Sequence, residues 1–156
     1  MLHFAYGSNM HRGLMHARCP DAGVVGRAVL RDQRFVITRD GYASVVAARG
    51  GVVHGLLWRI SPRDLAALNA YENIDAGLFR RALLSVQAQG RSAKALVYIG
   101  RSGAPGRARA GYMELVATAA REAGLPSDYV AGLECRALPG RAAVAPNGVR
   151  YEQRRA

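Results

Sequence analysis

This sequence has few cysteines and no cluster of histidines. The 156 residues contain only two cysteines, Cys19 and Cys135, which stand far apart, so neither a disulfide framework nor a metal knuckle is predicted. The four histidines are scattered, and His11 and His16 are five residues apart. That spacing misses the i, i+4 pattern that places two metal ligands on one helix face. We therefore expect neither a metal nor another cofactor.

Long apolar runs are missing as well. No stretch approaches the roughly 20 apolar residues that a membrane span needs. The N-terminus enters a strand-like run directly, without the charged start, long apolar middle and small-residue cleavage site of a signal peptide. We therefore expect a cytoplasmic protein with no membrane partner.

Acidic residues are few, and the net charge of +11 raises the question of nucleic-acid binding. Of the 22 basic residues 21 are arginine, but they are spread along the chain, and the largest local groups are the pairs Arg80-Arg81 and Arg154-Arg155. The 11 aromatic residues show no RNA-stacking pattern. Specific nucleic-acid binding is therefore disfavoured, and an arginine-rich RNA-binding domain is kept only as an alternative.

The length favours one domain, because a chain of this size can bury roughly 70% of its unfolded surface, and half of the residues are hydrophobic. Residues 1–137 are predicted to form that domain. Residues 138–156 are rich in proline, glycine and arginine and are predicted to be a C-terminal tail, mobile or wrapped on the surface. Strands outnumber helices in the first hundred residues, which predicts an α+β fold with a small mixed or barrel-like β-sheet flanked by helices.

Residue patterns and turn signals predict the individual elements. Strands are expected at 2–6, 24–25, 28–30, 35–38, 43–48, 52–60, 78–86 and 93–99, and helices at 10–18, 61–72, 109–123 and 125–136. Residues 49–51 and Gln89-Gly90 are predicted to be turns between strands. Gly55 inside a strand indicates a bulge or a close approach of backbones. Ser61, Pro62 and Asp64 are typical of a capped helix start.

The first strand ends in the turn Tyr6-Gly7-Ser8-Asn9, whose residues suit the binding of a ligand. Gly7 permits positive φ, and Ser8 and Asn9 can cap a helix that begins near Met10. A strand, a tight turn and a helix start can aim several backbone N–H groups into one concavity, which attracts a carboxylate, a phosphate or a developing oxyanion. The same local residues also fit an ordinary turn.

Glu72 does not fit the pattern of its helix. At 100° per residue it lies about 20° from Leu65 and about 40° from Leu68, so a carboxylate projects where the next core residue belongs. Burial in a pocket would raise the pKa of this carboxyl towards neutrality and suit it to acid–base catalysis. The alternative is that the helix frays before Glu72 and the side chain turns to water.

The two motifs together resemble the γ-glutamylcyclotransferase family. The similarity runs from Phe4 to about Leu133 and rests on two segments in this order, the turn after Phe4-Ala5-Tyr6 and the glutamate followed by Ala76-Gly77-Leu78-Phe79. It continues in Tyr98, Tyr112 and residues 125–129. The Ser8-Asn9 pair favours γ-glutamylcyclotransferase proper over branches of different specificity. Phe79 stands where some members have tyrosine, so a hydroxyl contact is not expected there.

The resemblance implies an enzyme that cleaves a γ-glutamyl amide by attack of the α-amine, releasing 5-oxoproline and a free amine. Glu72 would move the proton, the turn formed by Gly7, Ser8 and Asn9 would hold a substrate carboxylate or the oxyanion, and Tyr6 and Tyr112 would line the pocket. Without the resemblance, Tyr112 is predicted to be a core residue of its helix. It belongs to an apolar stripe formed by Tyr112, Leu115, Val116, Ala119 and Ala120. A non-catalytic protein of the same fold that binds γ-glutamyl or other carboxylate ligands is the alternative. The leaving amine and the oligomeric state stay open.

Overall fold

The computed structural model describes residues 1–137, and the predicted tail at 138–156 lies outside the described residues. Within these residues the strands are β1 Leu2–Ala5, β2 Gly23–Ile37, β3 Ala43–Arg59, β4 Phe79–Ala88 and β5 Arg91–Gly100. The α-helices are α1 Arg12–Arg18, α2 Pro62–Tyr71, α3 Tyr112–Glu122 and α4 Ser127–Ala137, and a 3-10 turn covers Ser8–Met10. The predicted α+β class with a barrel-like sheet and flanking helices is confirmed.

The strands close into a barrel in the order β1-β3-β2-β4-β5. Two long antiparallel hairpins, β2–β3 and β4–β5, supply most of the pairing. The predicted turn between β4 and β5 is confirmed: Gln89 and Gly90 both have positive φ, 51° and 75°, which matches the twist of the flanking strands. The short strand β1 pairs antiparallel with β3, and His3 pairs with Leu96 in the one parallel contact. The barrel therefore holds β1 between β3 and β5.

The predicted turn at 49–51 is wrong as a strand boundary. Strand β3 runs through it, and the pairing with β2 merely shifts: Arg31 pairs with Val52 and Gln33 with Ala47. Four residues of β3 thus oppose Asp32 alone. Asp32 has φ 56°, and its carboxylate accepts a hydrogen bond of 2.8 Å from the Gly50 amide. The glycine pair marks an irregularity inside one hairpin, because the two strands continue to pair on both sides of it.

Gly55 marks a close approach of backbones, as one of the two predicted alternatives states. A Cβ at this position would overlap the carbonyl oxygen of Ala5 and lie 2.7 Å from Cζ of Phe4. The pairing of Gly55 with Ala28 is in regular register, so no bulge is present there. The missing side chain lets β1 lie directly against β3.

The core joins the barrel to the helices. Its largest fully buried side chains include Trp58, Phe4, Met10, Met15, Leu56, Leu57, Leu68 and Met113. On α3 the buried residues are Met113, Val116, Ala117, Ala119 and Ala120. The predicted stripe is therefore confirmed at Val116, Ala119 and Ala120, whereas Met113 and Ala117 take the places expected for Tyr112 and Leu115. In residues 1–137, no helix has the length and apolar character needed to cross a membrane.

Candidate functional site

A cavity of about 350 Å³ brings the predicted site residues together. Its walls come from the end of β1 and the turn that follows, the start of β3, the C-terminal end of α2 and the residues after it, β4, β5 and the N-terminus of α3. The lining residues are His3, Phe4, Ala5, Tyr6, Gly7, Ser8, Asn9, Tyr42, Ala43, Tyr71, Glu72, Asn73, Leu78, Phe79, Tyr98 and Tyr112. All six predicted site residues are among them.

The turn after β1 differs in detail from its prediction. Gly7 has φ −118°, and Ser8 and Asn9 lie inside the 3-10 turn without capping α1. The cap is His11, whose ring accepts a hydrogen bond from the Leu14 amide at 3.2 Å. A Cβ on Gly7 would lie 3.0 Å from the Tyr112 hydroxyl, a tight contact, so this glycine provides space rather than positive φ.

Some backbone amides of this turn are used within the fold, and others have no acceptor among the described residues. The amides of Met10 and His11 donate to the carbonyls of Gly7 and Ser8, both at 3.0 Å. Within residues 1–137, the amides of Gly7 and Asn9 have no acceptor, and the Ser8 amide faces the Tyr112 hydroxyl. The first N–H groups of a helical turn lack partners within the turn, and they favour an anion.

Glu72 lies at the end of α2, which is fixed at both ends. The predicted capping box is present: the Asp64 amide donates to Ser61 Oγ at 3.1 Å and the Ser61 amide donates to Asp64 Oδ2 at 2.9 Å. At the other end the Glu72 amide donates to the Leu68 carbonyl at 2.8 Å. The last turn therefore reaches Glu72, and the alternative of a frayed helix with a solvated carboxylate is wrong.

Glu72 is only 8% exposed. Burial raises its pKa from 4.5 to about 7, against the opposing effects of a hydrogen bond from Asn9 and the positive charge of Arg18. The hydrogen bond runs from Asn9 Nδ2 to Glu72 Oε1 at 2.7 Å. A carboxyl with this pKa can both accept and return a proton near neutral pH.

Arg18 was not predicted from the sequence. Its Nη1 donates to Asn9 Oδ1, and its guanidinium carbon lies 3.5 Å from the centroid of the Tyr71 ring. Arg18 is one of 21 arginines, and the signal that singles it out is spatial. The end of α1 comes to lie beside the end of α2 only in the folded chain.

Three of the tyrosines that line the cavity form hydrogen bonds within the protein through their hydroxyls. The Tyr6 hydroxyl donates to the Tyr98 carbonyl, the Tyr98 hydroxyl donates to Asn69 Oδ1 at 2.8 Å, and the Tyr112 hydroxyl accepts from the Ala43 amide at 3.2 Å. Burial raises the pKa of Tyr112 to about 12 and the pKa values of Tyr6 and Tyr98 above their usual range. All three hydroxyls are therefore neutral at physiological pH and can donate or accept hydrogen bonds.

Other side chains of the cavity limit its chemistry. Phe79 is 7% exposed and presents an apolar ring where the resemblance allowed a tyrosine. No group of three or more histidine, cysteine, aspartate or glutamate side chains that could hold a metal ion occurs in the part of the chain that the structure describes. What the cavity offers is one buried carboxyl, a set of backbone amides and neutral phenol hydroxyls.

The chain is similar in sequence to one known family and to named relatives. The sequence model of the AIG2-like family matches residues 52–133. Gamma-glutamylcyclotransferase of Homo sapiens is 25% identical over 139 residues, which are 82% of this chain and 74% of the human protein.

Two solved structures have a similar fold. One, described as a gamma-glutamyl cyclotransferase, gives a TM-score of 0.81 at 24% sequence identity and covers 86% of both chains. The other, YkqA from Bacillus subtilis, gives a TM-score of 0.75 at 26% identity and covers 88% of this chain but 54% of that one. This chain therefore corresponds to about half the length of YkqA.

Proposed function

This chain belongs to the AIG2-like family, the family of the γ-glutamylcyclotransferases, and from that premise we propose that it cleaves a γ-glutamyl amide into 5-oxoproline and a free amine. The observation that carries the proposal is the buried carboxyl of Glu72, with a pKa of about 7, in a cavity that also holds the amides of the turn after β1. The substrate is a small molecule that this cavity can surround.

The reaction uses a nucleophile that belongs to the substrate. The α-amine nitrogen attacks the γ-carbonyl carbon, and a new carbon–nitrogen bond closes a five-membered ring. The bond to the leaving nitrogen then breaks, and the amine departs with a proton. Holding the amine against the carbonyl contributes up to about 7–11 kcal/mol to rate acceleration when the geometry is good. The protein must therefore supply orientation, proton transfer and stabilisation of charge.

Glu72 performs the proton transfer in this proposal. Its carboxylate takes the proton that the α-amine loses as the ring closes, and the resulting carboxylic acid returns that proton to the leaving nitrogen. A pKa of about 7 suits both steps, because a general acid–base group works best when its pKa is near the operating pH. One side chain thus completes the proton balance.

The turn after β1 stabilises negative charge. The amides of Gly7, Ser8 and Asn9 bind the substrate carboxylate or the oxyanion on the γ-carbonyl, and an oxyanion donor is typically worth about 3–4 kcal/mol. Tyr6 and Tyr112 restrict the substrate from two sides. Tyr112 also packs so closely against Gly7 that the turn and the start of α3 form one surface.

The test is release of 5-oxoproline from γ-glutamyl-alanine, glutathione and a γ-glutamyl amine. The Glu72→Gln variant should keep the wild-type circular dichroism spectrum and lose activity by about 10²–10⁴-fold, since the amide cannot carry the proton. Glu122→Gln is the matched control, because Glu122 also ends a helix but its side chain is exposed. This control should retain wild-type activity.

Two outcomes contradict the proposal. A fully active Glu72→Gln enzyme would exclude the mechanism. Binding of 5-oxoproline by the folded wild-type protein, with no turnover of any panel member, would instead favour a non-catalytic protein that binds γ-glutamyl or other carboxylate ligands.

A further inference from the structure

Three side chains form a continuous polar chain that leads into the cavity. Arg18, at the end of α1, donates from Nη1 to Oδ1 of Asn9, and Asn9 donates from Nδ2 to Oε1 of Glu72 at 2.7 Å. Asn9 is 6% exposed and Glu72 is 8% exposed. The middle and inner members of the chain are therefore shielded from water, which would otherwise compete for their hydrogen bonds.

The chain has a direction that Arg18 imposes. A guanidinium has only donors, so it holds the carbonyl oxygen of the Asn9 amide towards α1. The NH₂ group of the same amide must then face Glu72. If that amide turned over, it would present an oxygen to a carboxylate oxygen, and the two acceptors would repel each other. Arg18 thus selects the amide orientation that binds ionised Glu72.

The Arg18 guanidinium also packs against an aromatic ring. Its guanidinium carbon lies 3.5 Å from the centroid of Tyr71, the residue that precedes Glu72 and ends α2. A cation over a tyrosine face is attracted by the ring's charge distribution. Tyr71 is 45% exposed, which places this contact at the edge of the cavity. The contact links the end of α1 to the end of α2.

The charged surroundings of Glu72 are simple. The titratable groups whose pKa values Glu72 influences are tyrosines: Tyr6 after β1, Tyr98 on β5 and Tyr112 on α3. Their raised pKa values keep them neutral. His3 on β1 lines the same cavity, and its lowered pKa of about 4 keeps the imidazole neutral as well. Among residues 1–137, Arg18 is the cation whose charge acts on the Glu72 carboxyl, while Arg81 on β4 acts on Tyr98.

We propose that Arg18 is a positioning residue for the reaction: acting through Asn9, it orients the Glu72 carboxyl and keeps a large share of it ionised at neutral pH. This inference rests on the proposed function for its kinetic consequence. The structural part, an arginine that sets the protonation of a glutamate through an intervening amide, holds for the protein without any substrate.

The kinetic test compares Arg18→Gln with Arg12→Gln. Both variants remove one positive charge from α1, but the Arg12 side chain is exposed and lies outside the polar chain. Loss of a nearby opposite charge raises a carboxyl pKa by about one unit or more. The acid limb of the pH profile should therefore move to higher pH by about one unit in Arg18→Gln, and kcat at pH 7 should fall about five-fold with little change in KM. Arg12→Gln should retain the wild-type profile.

A titration without substrate separates this inference from the proposed function. The Glu72 side-chain carboxyl carbon can be followed by NMR as the pH is varied. Its midpoint should rise in Arg18→Gln, stay near the wild-type value in Arg12→Gln and return most of the way in Arg18→Lys, which keeps the charge. An unchanged midpoint in folded Arg18→Gln overturns the inference, whether or not any γ-glutamyl amide is turned over.

Should Arg18→Gln not fold, Tyr71→Leu provides the test at a half-exposed position. Tyr71→Leu removes the ring against which the guanidinium packs. It should raise the Glu72 midpoint by less than the rise expected for Arg18→Gln. A midpoint identical to the wild type in Tyr71→Leu, with the Asn9–Glu72 pair intact, would then contradict the role of Arg18.

Discussion

The carboxyl of Glu72 and the imidazole of His3 are both buried beside the same cavity, and burial moves their pKa values in opposite directions. Burial raises the pKa of Glu72 to about 7 and lowers the pKa of His3 to about 4, because a low-dielectric environment disfavours whichever form is charged. His3 Nδ1 lies 3.1 Å from the Leu96 carbonyl, and its Nε2 has no partner among the described residues. At neutral pH the imidazole is therefore uncharged, and Glu72 is the group in the cavity that changes its charge.

These two shifts predict opposing effects of pH on stability. Folded Glu72 binds a proton more tightly than unfolded Glu72 between pH 4.5 and 7, so its contribution to stability falls as the pH rises through that window. His3 is the reverse: the unfolded chain binds the extra proton between pH 4 and 6.5, so stability falls as the pH decreases. Each effect amounts to at most about 3 kcal/mol in the free energy of unfolding.

Urea unfolding between pH 4.5 and 6.5 should therefore show a nearly flat profile for the wild type, since the two windows overlap. Glu72→Gln leaves His3 unopposed, and the variant should lose stability as the pH falls. His3→Phe leaves Glu72 unopposed, and that variant should gain stability as the pH falls. A flat profile in either variant would show that the group left in it titrates as it does in the unfolded chain.

At the scale of the element, the close packing of β1 on β3 positions the turn that carries Tyr6, Gly7, Ser8 and Asn9. Strand β1 has only four residues, Leu2–Ala5, and all four pair with β3. Gly55 allows this approach because any side chain there would occupy the space of the Ala5 carbonyl and the Phe4 ring. The position of the turn thus depends on Gly55, which is far from the turn in sequence but adjacent to β1 in space.

Gly55→Ala should accordingly destabilise the fold by about 3 kcal/mol, at the upper end of overpacking effects in a close-packed core. It should also lower activity, because displacement of β1 moves the turn. Gly23→Ala is the matched control: Gly23 also lies in a strand, but nothing lies within 4 Å of an added Cβ. Comparable midpoints of urea unfolding for the two variants would show that β1 adjusts without cost.

At the scale of the whole molecule, the helical layer completes the core that the barrel begins. Helix α4 buries Val130 and Leu133, at 6% and 2% exposed, and Leu125 before it is 6% exposed. Arg27 on β2 donates to the Gly124 carbonyl at 2.7 Å and links the barrel to this layer. The domain predicted for residues 1–137 therefore includes α4, while its boundary stays a prediction.

Truncation tests that boundary. If residues 138–156 form the predicted tail, a chain that ends after Ala137 should unfold cooperatively with a free energy within about 0.5 kcal/mol of the full chain. A chain that ends after Gly124 loses three buried apolar side chains, each worth about 1.5–3 kcal/mol, and should be strongly destabilised. A large loss in the first truncation, measured by urea unfolding, would show that residues 138–156 contribute to the fold.

The sequence by itself determined what depends on neighbouring residues. The capping box of Ser61 and Asp64, the Gln89-Gly90 hairpin and the projection of Glu72 onto the buried face of its helix all follow from spacing and from turn chemistry. These features are local, so helical periodicity and backbone preferences suffice to predict them. The resemblance of the two motifs to one family indicated which residues accompany Glu72 in the site before their positions were known.

The tertiary structure alone decided which distant residues meet. It runs β3 through the predicted turn at 49–51, makes His11 the cap of α1, and gives Gly7 a steric rather than a conformational role. It also brings Arg18 to Asn9 and Glu72, and it buries His3 beside the same cavity. These outcomes depend on packing between elements that lie far apart in the chain, and local preferences carry no information about such contacts.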